Sequence, residues 1–346
     1  MKSATRLLLL VFAAQTGLAQ QSTNPRIDDA ERAAVIDHLG EKLTAGYVLP
    51  DAMPKIVQAL RTAQQNGQFG DAPTAQEFLD AVNRTLFAAS HDKHLKLYYD
   101  PVRTTVPAGS GAEPRDRFNY GFTKIERMRG NVGYLEILNF LPLPDRAAET
   151  VRDCMGALAG FDAIILDLRK NGGGNTPMMA LVASYLFGPQ PMHLSNLHWH
   201  DTNTTFEVWT SPQAPGRHSP DKPVYILTSA STFSAAEDFV YSLQKLGRAI
   251  VIGERTAGGA HSGRGLQRLS PNFTAFIPVG RSLNPLTNTN WEGVGIEPDI
   301  TTTSDQALNV AHITALRRLA ERETDEQWKR NLQSILQGLS APVNAK

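Results

Sequence analysis

The chain has 346 residues, with 34 lysines and arginines against 34 aspartates and glutamates, and a single cysteine. This balance excludes the basic excess by which proteins grip nucleic acid, and the lone Cys154 excludes an intrachain disulfide, so stability has to come from an ordinary apolar core. The composition is globular, without low-complexity tracts or repeats, and suffices for one large or two modest domains.

Lys2 and Arg6 precede the apolar run Leu7 to Ala14, and Gly17-Leu18-Ala19 come before polar Gln20-Gln21-Ser22. That layout predicts a secretory signal peptide over 1–19. The run is far shorter than the ~20 residues that span a bilayer, and no later stretch approaches that length. The expectation is an exported protein, periplasmic or secreted, with no membrane anchor. Cys154 lies outside the leader and offers no lipid attachment there.

Over 20–93 the apolar residues recur at helical spacing: Val35, Ile36, Leu39 and Leu43, then Ile56, Val57 and Leu60, then Phe78, Leu79, Val82 and Leu86. They predict a three-helix bundle, with Asp28/Glu31 and Thr74/Glu77 at capping-box spacing. Residues 94–116 read as a strand, Leu95 to Tyr99, and a linker rich in Pro, Gly, Ser and Thr.

From 117 to 304 strands alternate with helices. A hairpin fits Phe118–Met128 and Val132–Phe140 around Arg129-Gly130-Asn131. A buried strand, Ala163–Leu168, leads through a glycine-rich loop to a helix at Thr176–Leu186. A second unit follows: strand Val224–Thr228, helix Ser234–Leu246, strand Ala249–Ile252. Near-continuous apolar strands between helices predict an α/β core with helices covering a largely parallel sheet. Residues 305–346 read as two helices, with Leu308, Ala311 and Leu319, then Trp328, Leu332 and Ile335, turned inward.

Four constellations carry possible chemistry. In Thr228 to Glu237 a strand end, a polar turn and a helix start place the Ser234 hydroxyl beside unpaired helix amides, which favour developing negative charge. Ser234-x-x-Glu237 is equally a capping box. In Asp167 to Asn175 three glycines free the backbone to present amides to a ligand, or simply to turn; the Gly-Lys-Ser/Thr and GxGxxG phosphate patterns are missing. A serine nucleophile needs a base, and spacing does not choose between His94 and His261. His198 and His200 alternate on one strand face with His193 nearby but lack an accompanying acidic set, so no metal is expected. Glu292, in the turn Asn290 to Asp299, can orient an imidazole or merely be solvated.

In this order the segments resemble the tail-specific, or C-terminal-processing, serine peptidases, in the branch of the tricorn core and the interphotoreceptor retinoid-binding protein repeats. The resemblance spans Asp28 to Ile300 and rests on Asp-Leu-Arg-x-Asn-x-Gly-Gly at 167–174, Ser-x-x-Thr-Phe-Ser-Ala-Ala-Glu at 229–237 and Glu-Gly-x-Gly-Ile-x-Pro-Asp at 292–299. It implies a ClpP/crotonase-like α/β core, Ser234 as nucleophile, and the amides of Gly173 and Ala235 as oxyanion hole. Where the processing peptidases keep a lysine base, in Thr-x-Gly-Lys-Gly, this chain has Thr256-Ala257-Gly258-Gly259-Ala260. The tricorn-like alternative makes His94 the base and Glu292 the acidic member; the serine that precedes the histidine in that tetrad is Lys93 here. The segment between Tyr99 and Phe118 is too short for a PDZ domain. The implied activity is cofactor-free hydrolysis of a peptide or unfolded-protein substrate. The retinoid-binding repeats supply the alternative, a non-catalytic module for a small apolar ligand.

Overall fold

The computed structural model describes residues 24–101 and 115–340; the expected signal peptide and most of the expected linker lie outside the described residues. Helices α1 (Asp29–Gly46), α2 (Met53–Gln65) and α3 (Ala75–Ser90) form the expected bundle. Both predicted caps close: Asp28 accepts the Glu31 amide at 2.7 Å, and Thr74 and Glu77 satisfy each other's backbone. His91 ends α3 in the left-handed conformation, φ 55, and its amide donates to Phe87 O. That turn sends the chain out through Asp92–Leu95 into β1 (Lys96–Tyr99).

After a 3₁₀ segment (Arg115–Gly121) come β2 (Phe122–Met128), β3 (Val132–Ile137), α4 (Asp145–Leu158), β4 (Ala163–Asp167), α5 (Thr176–Ser184), β5 (His193–Trp199) and β6 (Thr204–Trp209). The chain continues through β7 (Val224–Thr228), α6 (Ala235–Lys245), β8 (Ile250–Gly253), β9 (His261–Ser262), β10 (Leu266–Arg268), β11 (Phe273–Phe276), β12 (Gly280–Leu283), β13 (Ile300–Thr301), α7 (Ser304–Arg322) and α8 (Glu326–Ser340). Helix α4 has no counterpart in the expected order, although Ala147, Val151, Met155 and Leu158 bury one face of it.

The central sheet runs β13-β8-β7-β4-β3-β2, parallel except for β2. Side chains alternate across a strand, so Ile164, Leu166, Ile226 and Val251 pack under α4, α5 and α6, while Ala163, Ile165, Tyr225 and Ile252 pack under α7 and α8. This two-sided burial explains the near-continuous apolar strands. Two smaller sheets flank the core, β6-β5-β12-β9 and β1-β11-β10. The second joins the bundle to the core: β1 pairs with β11 from Lys96↔Phe276 to Tyr99↔Phe273, and Phe273, Ala275 and Ile277 share the bundle's apolar interior.

Asp238 anchors α6 to the first of these flanking sheets. Its buried carboxylate accepts Ser195 Oγ of β5 at 3.0 Å, Ser282 Oγ of β12 at 3.3 Å and Ser242 Oγ at 3.2 Å. Burial pushes its pKa up to about 6 despite those three donors. The folded state therefore holds a proton that the unfolded chain has released, and stability falls as pH rises between about 4 and 6. Asp238→Asn, which has no such proton to lose, should gain on the wild type by about 3 kcal/mol across that window in urea unfolding. A difference that stays constant with pH would show that Asp238 titrates as an ordinary carboxylate.

Candidate active site

The loop from β7 to α6 is lashed to the glycine loop after β4 by the hydroxyls of its own motif. Thr232 Oγ1 donates to Leu168 O at 2.8 Å, Ser229 Oγ to Arg169 O at 2.5 Å, and the Phe233 amide to Asn171 O at 3.0 Å. The loop delivers Ser234 to the start of α6 at φ 57, ψ −124. A non-glycine residue at positive φ outside the left-handed helical well is strained, and such strain concentrates at functional sites. The Ser234 amide donates to Glu237 Oε2 at 2.9 Å, which is the cap half of the motif. Its hydroxyl does something else: Oγ lies 3.0 Å from His94 Nε2.

Glu237 does more than cap. Fully buried, it also accepts Thr256 Oγ1 at 2.5 Å and the amides of Gly258 at 2.6 Å and Gly259 at 2.8 Å, so one carboxylate ties the start of α6 to the loop 256–259. Burial pushes its pKa up to about 7 against these four donors. Capping-box spacing signalled the first contact; nothing in the sequence signalled the rest.

His94 stacks on Phe233, ring centroids 4.3 Å apart at 26°, with Phe276 at 5.8 Å. Desolvation lowers its pKa to about 4; Asp92 opposes that shift, and His261 and Lys96 reinforce it. The imidazole is thus neutral across the physiological range and can accept a proton. Its turn is built by Asp92, whose Oδ1 accepts the amides of His94 at 2.8 Å and Leu95 at 3.3 Å. Lys93, where the tricorn-type tetrad has serine, reaches away to donate to Ala257 O.

Gly173 lies against the same serine. A Cβ on it would stand 2.7 Å from Ser234 Cβ and 2.9 Å from the Ala235 nitrogen, and its φ is +100, so glycine is required on both counts. The Ala235 amide, in the first turn of α6, has no intrahelical acceptor. The Gly173 amide, however, donates to Asn171 Oδ1 at 2.8 Å, and the Asn171 amide group is itself held by Ile137 O at 3.0 Å. Asn171 therefore competes with any oxyanion for this donor, which the glycine pattern did not disclose.

Glu292 meets a different imidazole from the one expected. Its Oε2 accepts the amides of Ala260 at 2.5 Å and His261 at 3.1 Å and lies 3.7 Å from His261 Nδ1, which bonds Asp92 Oδ2 at 2.7 Å. No bond joins Glu292 to His94 among the described residues. Desolvation raises the Glu292 pKa and His261 opposes the shift. The donor atoms of Asp92, His261 and Glu292 lie within 4.8 Å of one another, near enough for a metal ion, but His261 Nδ1 is engaged by Asp92 and Glu292 Oε2 by two amides. The histidines of the β5 region do not converge: His193 bonds Asn196 and His198 bonds Thr205.

Ser234, His94 and His261 line a cavity of about 670 Å³ whose wall includes Tyr98, Leu197, Trp199, Phe206 and Phe276, with Lys96 among them.

Residues 131–302 match the model of Peptidase family S41. The chain carries an S41 peptidase domain. It contains Ser234, Gly173, Ala235, His261 and Glu292, while His94 and Asp92 come from the bundle side. The chain is 26% identical over 178 residues to the carboxyl-terminal-processing peptidase 2, chloroplastic, of Arabidopsis thaliana, a match covering 49% of this chain and 31% of that one. The match thus spans about a third of the relative's length. In fold the chain is similar to a lipoprotein from Streptococcus agalactiae, with TM-score 0.57, 16% identity, and 84% and 98% of the two chains covered. It is likewise similar to the tricorn protease, with TM-score 0.56, 14% identity, and 90% and 37% covered.

Gly259 stands where the resemblance to the processing peptidases leads one to expect a lysine, and the structure leaves no room for a side chain there. A Cβ there would fall 2.1 Å from Phe233 Cε2 and 2.8 Å from His94 Cε1, so Phe233 first, and His94 behind it, occupy the space a residue 259 side chain would need. Gly259→Ala should displace His94 and slow fluorophosphonate labelling on the order of 10²-fold, the scale of a 1 Å misplacement. Gly156→Ala, on an open face of α4 where a Cβ meets nothing within 4 Å, should leave the labelling rate unchanged.

Proposed function

We propose that this chain is an exported serine peptidase that hydrolyses peptide bonds through an acyl-enzyme on Ser234, with His94 as its base. The observation that carries the reading is the 3.0 Å approach of a neutral, buried imidazole to a serine held at positive φ on a helix N-terminus. A cap needs neither the strain nor the imidazole.

His94 Nε2 takes the Ser234 hydroxyl proton as Oγ bonds to the scissile carbonyl carbon. The resulting oxyanion is met by the Ala235 amide and the positive end of α6, joined by the Gly173 amide once it exchanges Asn171 Oδ1 for the substrate oxygen. His94 returns its proton to the leaving amine as the C–N bond breaks. Water then attacks the ester, giving its proton to His94, and the acid departs while Ser234 regains its hydrogen. The cavity's aromatic wall suits an apolar side chain beside the cleaved bond.

Export rests on the leader pattern at 1–19; no helix of the described residues is long and apolar enough to cross a membrane. The apolar wall, with Phe206 59% exposed, favours a second reading as well, a binding module for a small apolar ligand. Co-purification of a lipid-like molecule, with no hydrolysis of unstructured peptides, would support that reading over the first.

A fluorophosphonate probe should label the wild type and not Ser234→Ala. Equal labelling of the two would remove the nucleophile. The rate should rise with pH through a midpoint near 4 as His94 loses its proton, then stay level to neutrality. A midpoint at or above the ordinary histidine value of about 6.5 would assign the base elsewhere.

A further inference from the structure

Among the described residues, His94 Nδ1 is buried without a hydrogen-bond partner. When Nε2 is the acceptor, the ring proton sits on that Nδ1, so the imidazolium formed during the reaction meets no direct carboxylate bond of the kind that usually orients a catalytic histidine. Something else must fix the ring and balance its charge.

Asp92 divides its two oxygens between these tasks. Oδ1 holds the backbone of His94 and Leu95, the turn that carries the base. Oδ2 accepts Tyr47 Oη at 3.0 Å and His261 Nδ1 at 2.7 Å. His261 is backed by Glu292, 3.7 Å away. Tyr47 and Asp92 belong to the bundle side, His261 and Glu292 to the S41 domain, so the contact crosses the seam between the base and the nucleophile. Asp92 is 2% and His261 4% exposed, so solvent does not screen the pair. Removing one partner of such a pair leaves an uncompensated charge in the interior.

We propose that Asp92 and His261 are positioning residues for His94: their buried pair, backed by Glu292, holds the turn of the base against the unit that carries Ser234. This rests on the reading of Ser234 and His94 above. Glu292, expected to act on the catalytic imidazole itself, then acts on it only through His261 and Asp92.

The charged and titratable groups facing His94 are Asp92, His261 and Lys96; those facing His261 are Asp92, Glu292 and Arg281, and Tyr47 also faces Asp92. Asp92 holds the His261 pKa above its usual value, while His261 keeps the Asp92 carboxyl below its own. His261→Gln removes a positive charge beside His94 and leaves Asp92 unbalanced. Both changes favour a proton on His94, so the acid limb of kcat/KM moves to higher pH.

The test uses the full chain, a fluorophosphonate probe and a fluorogenic peptide pool between pH 3.5 and 8. His261→Gln should lower kcat and the labelling rate on the order of 10²-fold with KM little changed, and shift the acid limb upward. Asp92→Asn, the same shape without the charge, should slow labelling by a comparable factor and decides the matter if His261→Gln does not fold. A folded variant of either kind with wild-type kcat, or His261→Gln with an unshifted limb, overturns the proposal. Equal labelling of wild type and Ser234→Ala would instead remove the nucleophile, so the two failures are distinct.

Discussion

The candidate site depends on the pairing of β1 with β11. Ser234 is delivered by the parallel sheet of the S41 domain, but His94 comes from the end of the helical bundle, 140 residues earlier. What brings them to 3.0 Å is a four-residue strand whose register, Lys96↔Phe276 to Tyr99↔Phe273, puts Phe276 beside the base and Phe273 into the bundle's interior. A slip of one residue would exchange the faces of Leu97 and Tyr98 and carry His94 off its stack on Phe233. Asn83 of α3 guards against this, since its amide group both donates to Leu97 O at 3.0 Å and accepts the Leu97 amide at 2.8 Å, closing the outer edge of β1.

Within the S41 domain the same economy of polar contacts recurs. Glu237 joins the start of α6 to the loop 256–259, Trp291 Nε1 donates to Gly259 O at 2.9 Å, and Glu292 accepts the amides that follow. The loop 256–259 is thus pinned from two sides, and Gly259 leaves room for an aromatic stack of Phe233 on His94.

Much of this was legible in the residues. Helical spacing gave the bundle and both terminal helices, and near-continuous apolar strands announced a sheet covered on both faces. Helix α4 carries the same spacing in Ala147, Val151, Met155 and Leu158. Strands β9 to β12 were not readable, because they are only two to four residues long, and β11 and β12 each pair with a strand far back in the chain. At the site, the strand-to-helix turns drew attention to Ser234 and to the glycine loop 172–174 because such turns are rich in glycine, serine and threonine, whereas the roles of Gly173 and Ala235 came only from the family resemblance. The destination of Glu292 was hidden, since it depends on how the loop 256–261 packs beneath Trp291, and so was the bond from the Gly173 amide to Asn171.

Two histidines that sequence spacing did not separate are driven apart by their surroundings. His94, between Phe233 and Phe276, is stripped of water and lowered to about 4. His261, between Asp92 and Glu292, is raised. Paired titratable groups with opposite shifts divide proton transfer from charge support. A neutral His94 is a competent acceptor for the Ser234 proton, and the bond from His261 holds the Asp92 carboxyl below its usual pKa beside it. When His94 takes its proton, Asp92 is the anion already in place, so charge formed in a dry site meets a preorganised counter-charge rather than calling for one. Burying ions is costly unless they are paired and bonded, and the bonds from Tyr47, the backbone turn and His261 provide the pairing at the seam where the two halves of the site meet.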